Sequence, residues 1–156
     1  MKVYDAIISR RSIRRFYQKP VDPEILKKCV NAGRLAPSAA NLQPLEYIIV
    51  IDKTLCAQLF ETLHWAAYIQ PKWTPKEKER PTAYIVVLVK DTQNPYYERD
   101  VGFATENIVL AAEGDGLGSC ILCNIERTKI QELCNIPLTL AFDSVIALGH
   151  KAEKSV

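Results

Sequence analysis

The sequence predicts a mixed α and β domain with helices covering both faces of one sheet, and three observations predict it. Leu45-Glu46-Tyr47-Ile48-Ile49-Val50-Ile51 and Tyr84-Ile85-Val86-Val87-Leu88-Val89 are nearly continuous apolar runs of strand length, the pattern of strands covered on both sides. Helical periodicity with clear start and stop signals occurs around and between them. A third stretch, 97–113, is apolar over most of a helical circumference, so it must lie centrally or press on a partner chain. At 156 residues the chain reads as a single domain, 1–156, large enough to bury a real core.

Residues 3–11 form a short amphipathic helix with Val3, Ile7 and Ile8 on its apolar side. An arginine cluster follows, and Gln18-Lys19-Pro20 makes a bend. Asp22-Pro23 starts the next helix, a capping carboxylate followed by proline at the first helical position. Over 23–36, Ile25, Leu26, Cys29, Val30 and Ala32 form one stripe, with Lys27, Lys28, Asn31 and Arg34 facing away. Pro37 stops that helix, because the residue before a proline avoids helical angles. Residues 37–44 are a loop of small and polar residues leading into the first apolar strand.

Asp52 and Thr54 cap a third helix, about 53–69, with Leu55, Leu59, Leu63 and Ala66 on one side. Pro71, Pro75 and Pro81 bracket the charged run Lys76-Glu77-Lys78-Glu79-Arg80, an exposed, mobile loop. After the second apolar strand comes the helix 97–113, in which Val101, Phe103, Ala104, Ile108, Val109, Leu110, Ala111 and Ala112 cover most of the surface. We read it as central and as part of a dimer interface. Gly114, Gly116 and Gly118 end it, and a strand 119–123, a helix 126–134 and a strand 144–148 complete the chain. There is no internal repeat and no low-complexity tract.

A net charge of +2 argues against a general nucleic-acid binder, and the basic excess is confined to 10–19, which favours a small anion over a long polyanion. No apolar run approaches the roughly 18 residues of a membrane span, and Met1-Lys2-Val3-Tyr4-Asp5 lacks the apolar segment of a signal peptide. Five scattered cysteines do not make a disulfide scaffold, so a reduced cytoplasmic location is expected.

The cluster Arg10-Arg11-Ser12-Ile13-Arg14-Arg15-Phe16 repels itself unless an anion gathers it or solvent separates it, and no acidic residue occurs between Asp5 and Asp22. Planar guanidinium forks and a serine hydroxyl suit phosphate oxygens. Cations at a helix end would also offset the negative end of its dipole, so both readings stand on the cluster alone. Ser38, Asn41 and Gln43, between a helix end and a buried strand, offer groups that donate and accept, as ligand contacts or as ordinary turn chemistry.

Gly114-Asp115-Gly116-Leu117-Gly118 has neither GxGxxG nor GxxxxGK[ST] spacing and reads as helix-ending glycines. Cys120-Ile121-Leu122-Cys123 lacks a second CxxC or a nearby histidine, and its apolar filling suits a buried strand better than a metal or redox site. His64 and His150 are the only histidines; His64, beside Trp65, reads as packing. With no HExxH, no GxSxG and no evident carboxylate pair, no catalytic side chain and no metal ligand set is assigned.

Taken in order, Arg10-Arg11-Ser12-Ile13-Arg14-Arg15-Phe16, Ala36-Pro37-Ser38-Ala39-Ala40-Asn41-Leu42-Gln43-Pro44, Asp100 to Ile108 running on to Gly116-Leu117-Gly118-Ser119-Cys120, and Ala147-Leu148-Gly149-His150 resemble the FMN-dependent nitroreductase family. The resemblance implies an α+β, three-layer fold with a mixed, mainly antiparallel sheet flanked by helices, in an intertwined homodimer with FMN sites at the interface. It implies that Arg10, Arg11, Ser12 and Arg14 hold the phosphate and ribityl end, and that Pro37, Ser38, Asn41 and Gln43, usually from the other subunit, touch the flavin. Backbone at Gly118, Cys120 and Ile121 would approach the ring, and Lys151 or Lys154 would stand in for a basic residue that relatives place in their C-terminal tail. The implied activity is hydride transfer from NAD(P)H through flavin N5 to a small electron-poor acceptor, a nitroaromatic, quinone or related planar compound, with ping-pong kinetics. A flavin-binding or regulatory protein without turnover is the alternative. Where many relatives carry tyrosine and proline after the last strand's glycine, this chain has His150 and Lys151.

Overall fold

The computed structural model describes residues 1–66 and 73–154. Helices α1 (Val3–Ser9), α2 (Pro23–Arg34), α3 (Lys53–Phe60), α4 (Tyr97–Gly114) and α5 (Arg127–Leu133) alternate with strands β1 (Phe16–Tyr17), β2 (Leu45–Val50), β3 (Ala83–Val89), β4 (Leu117–Leu122) and β5 (Ala141–Lys151). All strand pairs are antiparallel, and β5 is the central strand. Residues Val145–Leu148 pair with both β3 and β4, so those two strands flank β5 on opposite edges. The short β1 continues the β3 side at His150 and Lys151, and β2 lies outside β3.

Strand β3 is buried along its whole length, and its alternation divides the core in two. Ala83, Ile85, Val87 and Val89 face α2 and α4, with Leu26, Cys29, Val101, Ile108 and Ala112. Tyr84, Val86 and Leu88 face α3 and α5, with Leu59, Phe60, Trp65 and Ile130. Each fully buried Val or Ile here contributes roughly 1.5–3 kcal/mol. The result is helices, sheet, helices: the three layers expected. Both helix starts read from the sequence are present, with Asp22 accepting from the Glu24 amide at 2.9 Å and Asp52 from the Leu55 amide at 2.8 Å.

Several expectations need correction. β2 is an edge strand with only Val50 buried, so its apolar run is not covered on both faces in a single chain. α3 ends at Phe60, short of residue 69; the Thr62 hydroxyl bonds the Leu59 carbonyl at 2.6 Å and the chain turns there, while 67–69 lie outside the described residues. His64 is exposed, not packed. The charged run forms a short turn, Glu77–Glu79, against β1. Strand β1 replaces part of an expected loop. In α1, Val3, Tyr4, Ile7 and Ile8 are all at least half exposed and only Ala6 is buried, and Phe103 of α4 is likewise half exposed. The apolar side of α1 therefore lies uncovered by its own chain.

Candidate active site

The arginine segment is routed by two glycines. Gly118 of β4 and Gly149 of β5 are register partners, so the sheet has a notch there without Cβ atoms. A Cβ on Gly118 would lie 2.8 Å from Ile13 Cγ2, and one on Gly149 would lie 2.8 Å from Phe16 Cδ1. The segment 13–16 thus crosses the sheet through space only glycine leaves open. Its backbone is tied on both sides: the Ile13 amide donates to Ser119 O at 2.8 Å, the Arg14 amide to Glu153 Oε1 at 2.5 Å, and the Ala152 amide to Arg15 O at 2.9 Å. Ser12 and Ser119 form an isolated parallel bridge.

With the backbone pinned, the cations divide. Arg11 folds back on α1 and donates to Ile8 O and Arg10 O, each at 2.9 Å, so it takes the helix-end role. Arg15 lies 5.5 Å from the Trp73 ring centroid and 4.0 Å from Glu79. Arg10 stands 3.9 Å from Glu106, beyond a hydrogen bond, and its Nε is buried without a partner among the described residues. Ser12 is exposed and Arg14 half-buried. Arg10, Ser12 and Arg14 are thus the polar side chains left for an anion.

The same crossing brings in β4 and the end of β5. Lys151 Cγ lies 2.9 Å from where a Gly118 Cβ would be, and its ammonium donates to Glu113 at 2.6 Å. Ile121 is exposed, whereas the Cys120 side chain packs into the α3/α5 core, so only its backbone can line a ligand. Burial raises the Cys120 thiol, with Arg14 a smaller opposing influence. Cys123 is exposed, against the buried setting expected, and desolvation and Asp143 raise its thiol as well. Neither thiol is shifted toward the reactive thiolate. His150 Nε2 lies 3.3 Å from Pro20 O.

The loop 37–43 is a second polar element with strained backbone. Ala40, Asn41 and Gln43 have φ of 49°, 54° and 48°, values that cost non-glycine residues about 1–3 kcal/mol each. Asp100 compensates by accepting from the Ala39 amide at 3.0 Å; Ser38 Oγ accepts from the Gln43 amide at 3.0 Å, and Gln43 Nε2 donates to Asn41 Oδ1 at 3.2 Å. Asp100 is only 2% exposed, and its other oxygen and the Tyr47 hydroxyl have no partner among the described residues. Both groups line a cavity of about 30 Å³, room for one bridging water. Burial pushes the Tyr47 hydroxyl up to about 12.

Sequence reasoning missed Asp100 and Glu113. The available signal was a carboxylate on the otherwise apolar stripe of α4, where Asp100, Ala104, Ile108 and Ala112 are all buried. These two residues also measure the site. Asp100 anchors the loop and Glu113 meets Lys151 and Ser9, thirteen positions and about 20 Å apart along the helix. The structure therefore brings Ser12 to Ser119 and Ile13 and Lys151 to Gly118, and ties the 37–43 loop to the other end of α4 through Asp100.

Comparison with known proteins gives this arrangement a family. The sequence profile of the nitroreductase family matches residues 7–150. The chain belongs to the nitroreductase family. An Archaeoglobus fulgidus relative assigned as an NADH dehydrogenase/NAD(P)H nitroreductase is 33% identical over 95% of this chain and 84% of its own length. The iodotyrosine deiodinase of Thermotoga neapolitana is 26% identical over 95% of this chain and 86% of its own. The crystal structure of a Desulfovibrio desulfuricans protein assigned as a nitroreductase, in complex with FMN, superposes with a TM-score of 0.81 at 27% identity, covering 100% of this chain and 90% of that one. This nitroreductase-family chain thus shares the fold over its full length. Among its described residues, no helix is long and apolar enough to cross a membrane.

Proposed function

We propose that two copies of this chain form an FMN-dependent oxidoreductase that carries reducing equivalents from NAD(P)H to a small, planar, electron-poor acceptor such as a nitroaromatic or quinone. The observation that carries the reading is the glycine notch: it pins the backbone at 13–16, next to Ser12 and the Arg10 side chain, whose Nε is buried and, among the described residues, unpartnered. That donor set fits a flavin phosphate, which needs several N–H and O–H donors and positive charge. Family membership and the FMN-bound relative support the same cofactor, and the NAD(P)H nitroreductase relative supports the same reductant.

The rest of the site follows from the chain's own groups. Backbone at Gly118, Cys120 and Ile121 lines the ring's approach, with Ile121 as an exposed apolar surface beside it. Pro37, Ser38, Asn41 and Gln43 come from the second copy, since a single chain keeps them near the far end of α4. Their strained, clamped backbone presents the amide side chains of Asn41 and Gln43 in fixed directions. When bound, FMN would supply the redox chemistry, two-electron exchange between NAD(P)H and the acceptor. The protein contributes binding, orientation and positive charge, and no side chain is required as acid or base.

The test is spectroscopic. Protein reconstituted with FMN should show a flavin absorption band that bleaches under anaerobic NADH or NADPH and returns on adding a nitroaromatic or quinone, with parallel lines in initial-velocity plots. Failure to take up FMN overturns the assignment. FMN uptake without bleaching by either nucleotide replaces it with a flavin-binding role lacking turnover. An acceptor panel including iodotyrosine separates the nitroreductase activity from that named for the Thermotoga relative.

A further inference from the structure

Glu113 is out of place by composition. It is 4% exposed, on the buried side of α4, and it sits beside the most cationic segment of the chain. Its two oxygens are both used: Oε2 accepts from Lys151 Nζ at 2.6 Å and Oε1 from the Ser9 hydroxyl at 2.9 Å. Lys151 reaches it by running its stem across Gly118, where Ile13 of the arginine segment also packs. The other carboxylates near these cations are more open to solvent: Glu106 at 3.9 Å from Arg10, Glu79 at 4.0 Å from Arg15, and Glu153, which is spent on the Arg14 and Arg15 amides. Water screens those charges, while Glu113 acts through protein.

We propose that Glu113 sets the affinity of the phosphate clamp by withholding the charge of Lys151 from it. This rests on the flavin reading given above. The ion pair is nearly neutral as seen from an anion held by Arg10, Ser12 and Arg14. Removing only its negative member leaves a lysine whose side chain is about a third exposed, free to stay charged and to turn toward the phosphate. Removing only its positive member leaves a buried carboxylate facing an anion. A purely structural staple behaves differently, because losing either partner would weaken binding of any flavin through loss of the fold.

The experiment titrates flavin-free protein with FMN and, separately, with riboflavin, which lacks the phosphate, following flavin fluorescence. Glu113→Gln should bind FMN roughly fivefold more tightly, Lys151→Met should bind it several-fold more weakly, and the double variant should return close to the unaltered protein. Riboflavin affinity should stay the same in all three, and the FMN gain of Glu113→Gln should shrink as salt is raised. Weaker FMN binding by Glu113→Gln, or equal changes for FMN and riboflavin, overturns the proposal. If the unaltered protein binds FMN, such a result leaves the flavin reading intact. If it binds neither flavin, that reading falls and this one with it.

Discussion

Arg10, Arg11, Arg14 and Arg15 are equivalent by composition and separate by position. Arg14 is half-buried and comes from a backbone pinned by Glu153. Arg14→Ala should therefore weaken FMN by about 1.5–3 kcal/mol, the size of a charge-assisted hydrogen bond, with little change in folding. Arg34 is the control: its guanidinium bonds the Asn31 side chain at 2.9 and 3.2 Å on the outer face of α2, and Arg34→Ala should leave flavin titrations unchanged. Equal losses would show that overall charge is responsible. The cluster was legible in the sequence because residue types and spacing suffice to find it. The separation of Arg11, folded back on the helix end, from Arg10 and Arg14 was not, because it depends on a backbone path fixed by Gly118 and Gly149, more than a hundred residues away.

Elements with local signals were read closely, and those fixed by distant partners were not. α2 and α3 start where Asp22 and Asp52 cap them. Leu63 and Ala66 continue the period of α3 and predict a longer helix, yet Thr62 turns on the Leu59 carbonyl and Ala66 has a φ of 48°. β1 is two residues paired to the far end of β5, with no alternation long enough to detect. β5 runs from Ala141 to Lys151, beyond the apolar 144–148, because pairing with β3 and β1 extends it through half-buried and glycine positions. The glycine notch makes a prediction at this scale. In Gly149→Ala the new methyl would meet the ring of Phe16, which is fully buried and cannot yield. Overpacking of this kind costs about 1–3 kcal/mol. Urea denaturation should register that loss, and FMN affinity should fall with it as the segment 13–16 is displaced. Unchanged stability together with unchanged FMN affinity would mean that the crossing has slack the close contact does not suggest.

At the scale of the molecule, an uncovered apolar surface and an incomplete site call for the same remedy. Val3, Tyr4, Ile7 and Ile8 of α1 and Phe103 of α4 are all at least half exposed, and Leu35 beside the loop and Leu42 within it are more than 60% exposed. Apolar surface of this extent marks an interaction face, and in the dimer proposed above a second copy would cover it while bringing its own 37–43 loop. The periodicity of α4 predicts a helix that lies centrally or presses on a partner chain, but periodicity does not say which loop would cross over. Complementation decides that. Arg14→Ala removes one half of each site and a variant with Asn41 and Gln43 both changed to alanine removes the other, so each pure variant should bind FMN poorly. If both halves came from one chain, mixing the two after unfolding would restore nothing. With halves from opposite chains, each mixed dimer has one doubly damaged site and one intact site. Random reassociation makes half the dimers mixed, so high-affinity FMN binding should return at about one quarter of all sites. Fluorescence titration of the refolded mixture reads that fraction, and its absence would place the loop against the arginines of its own chain.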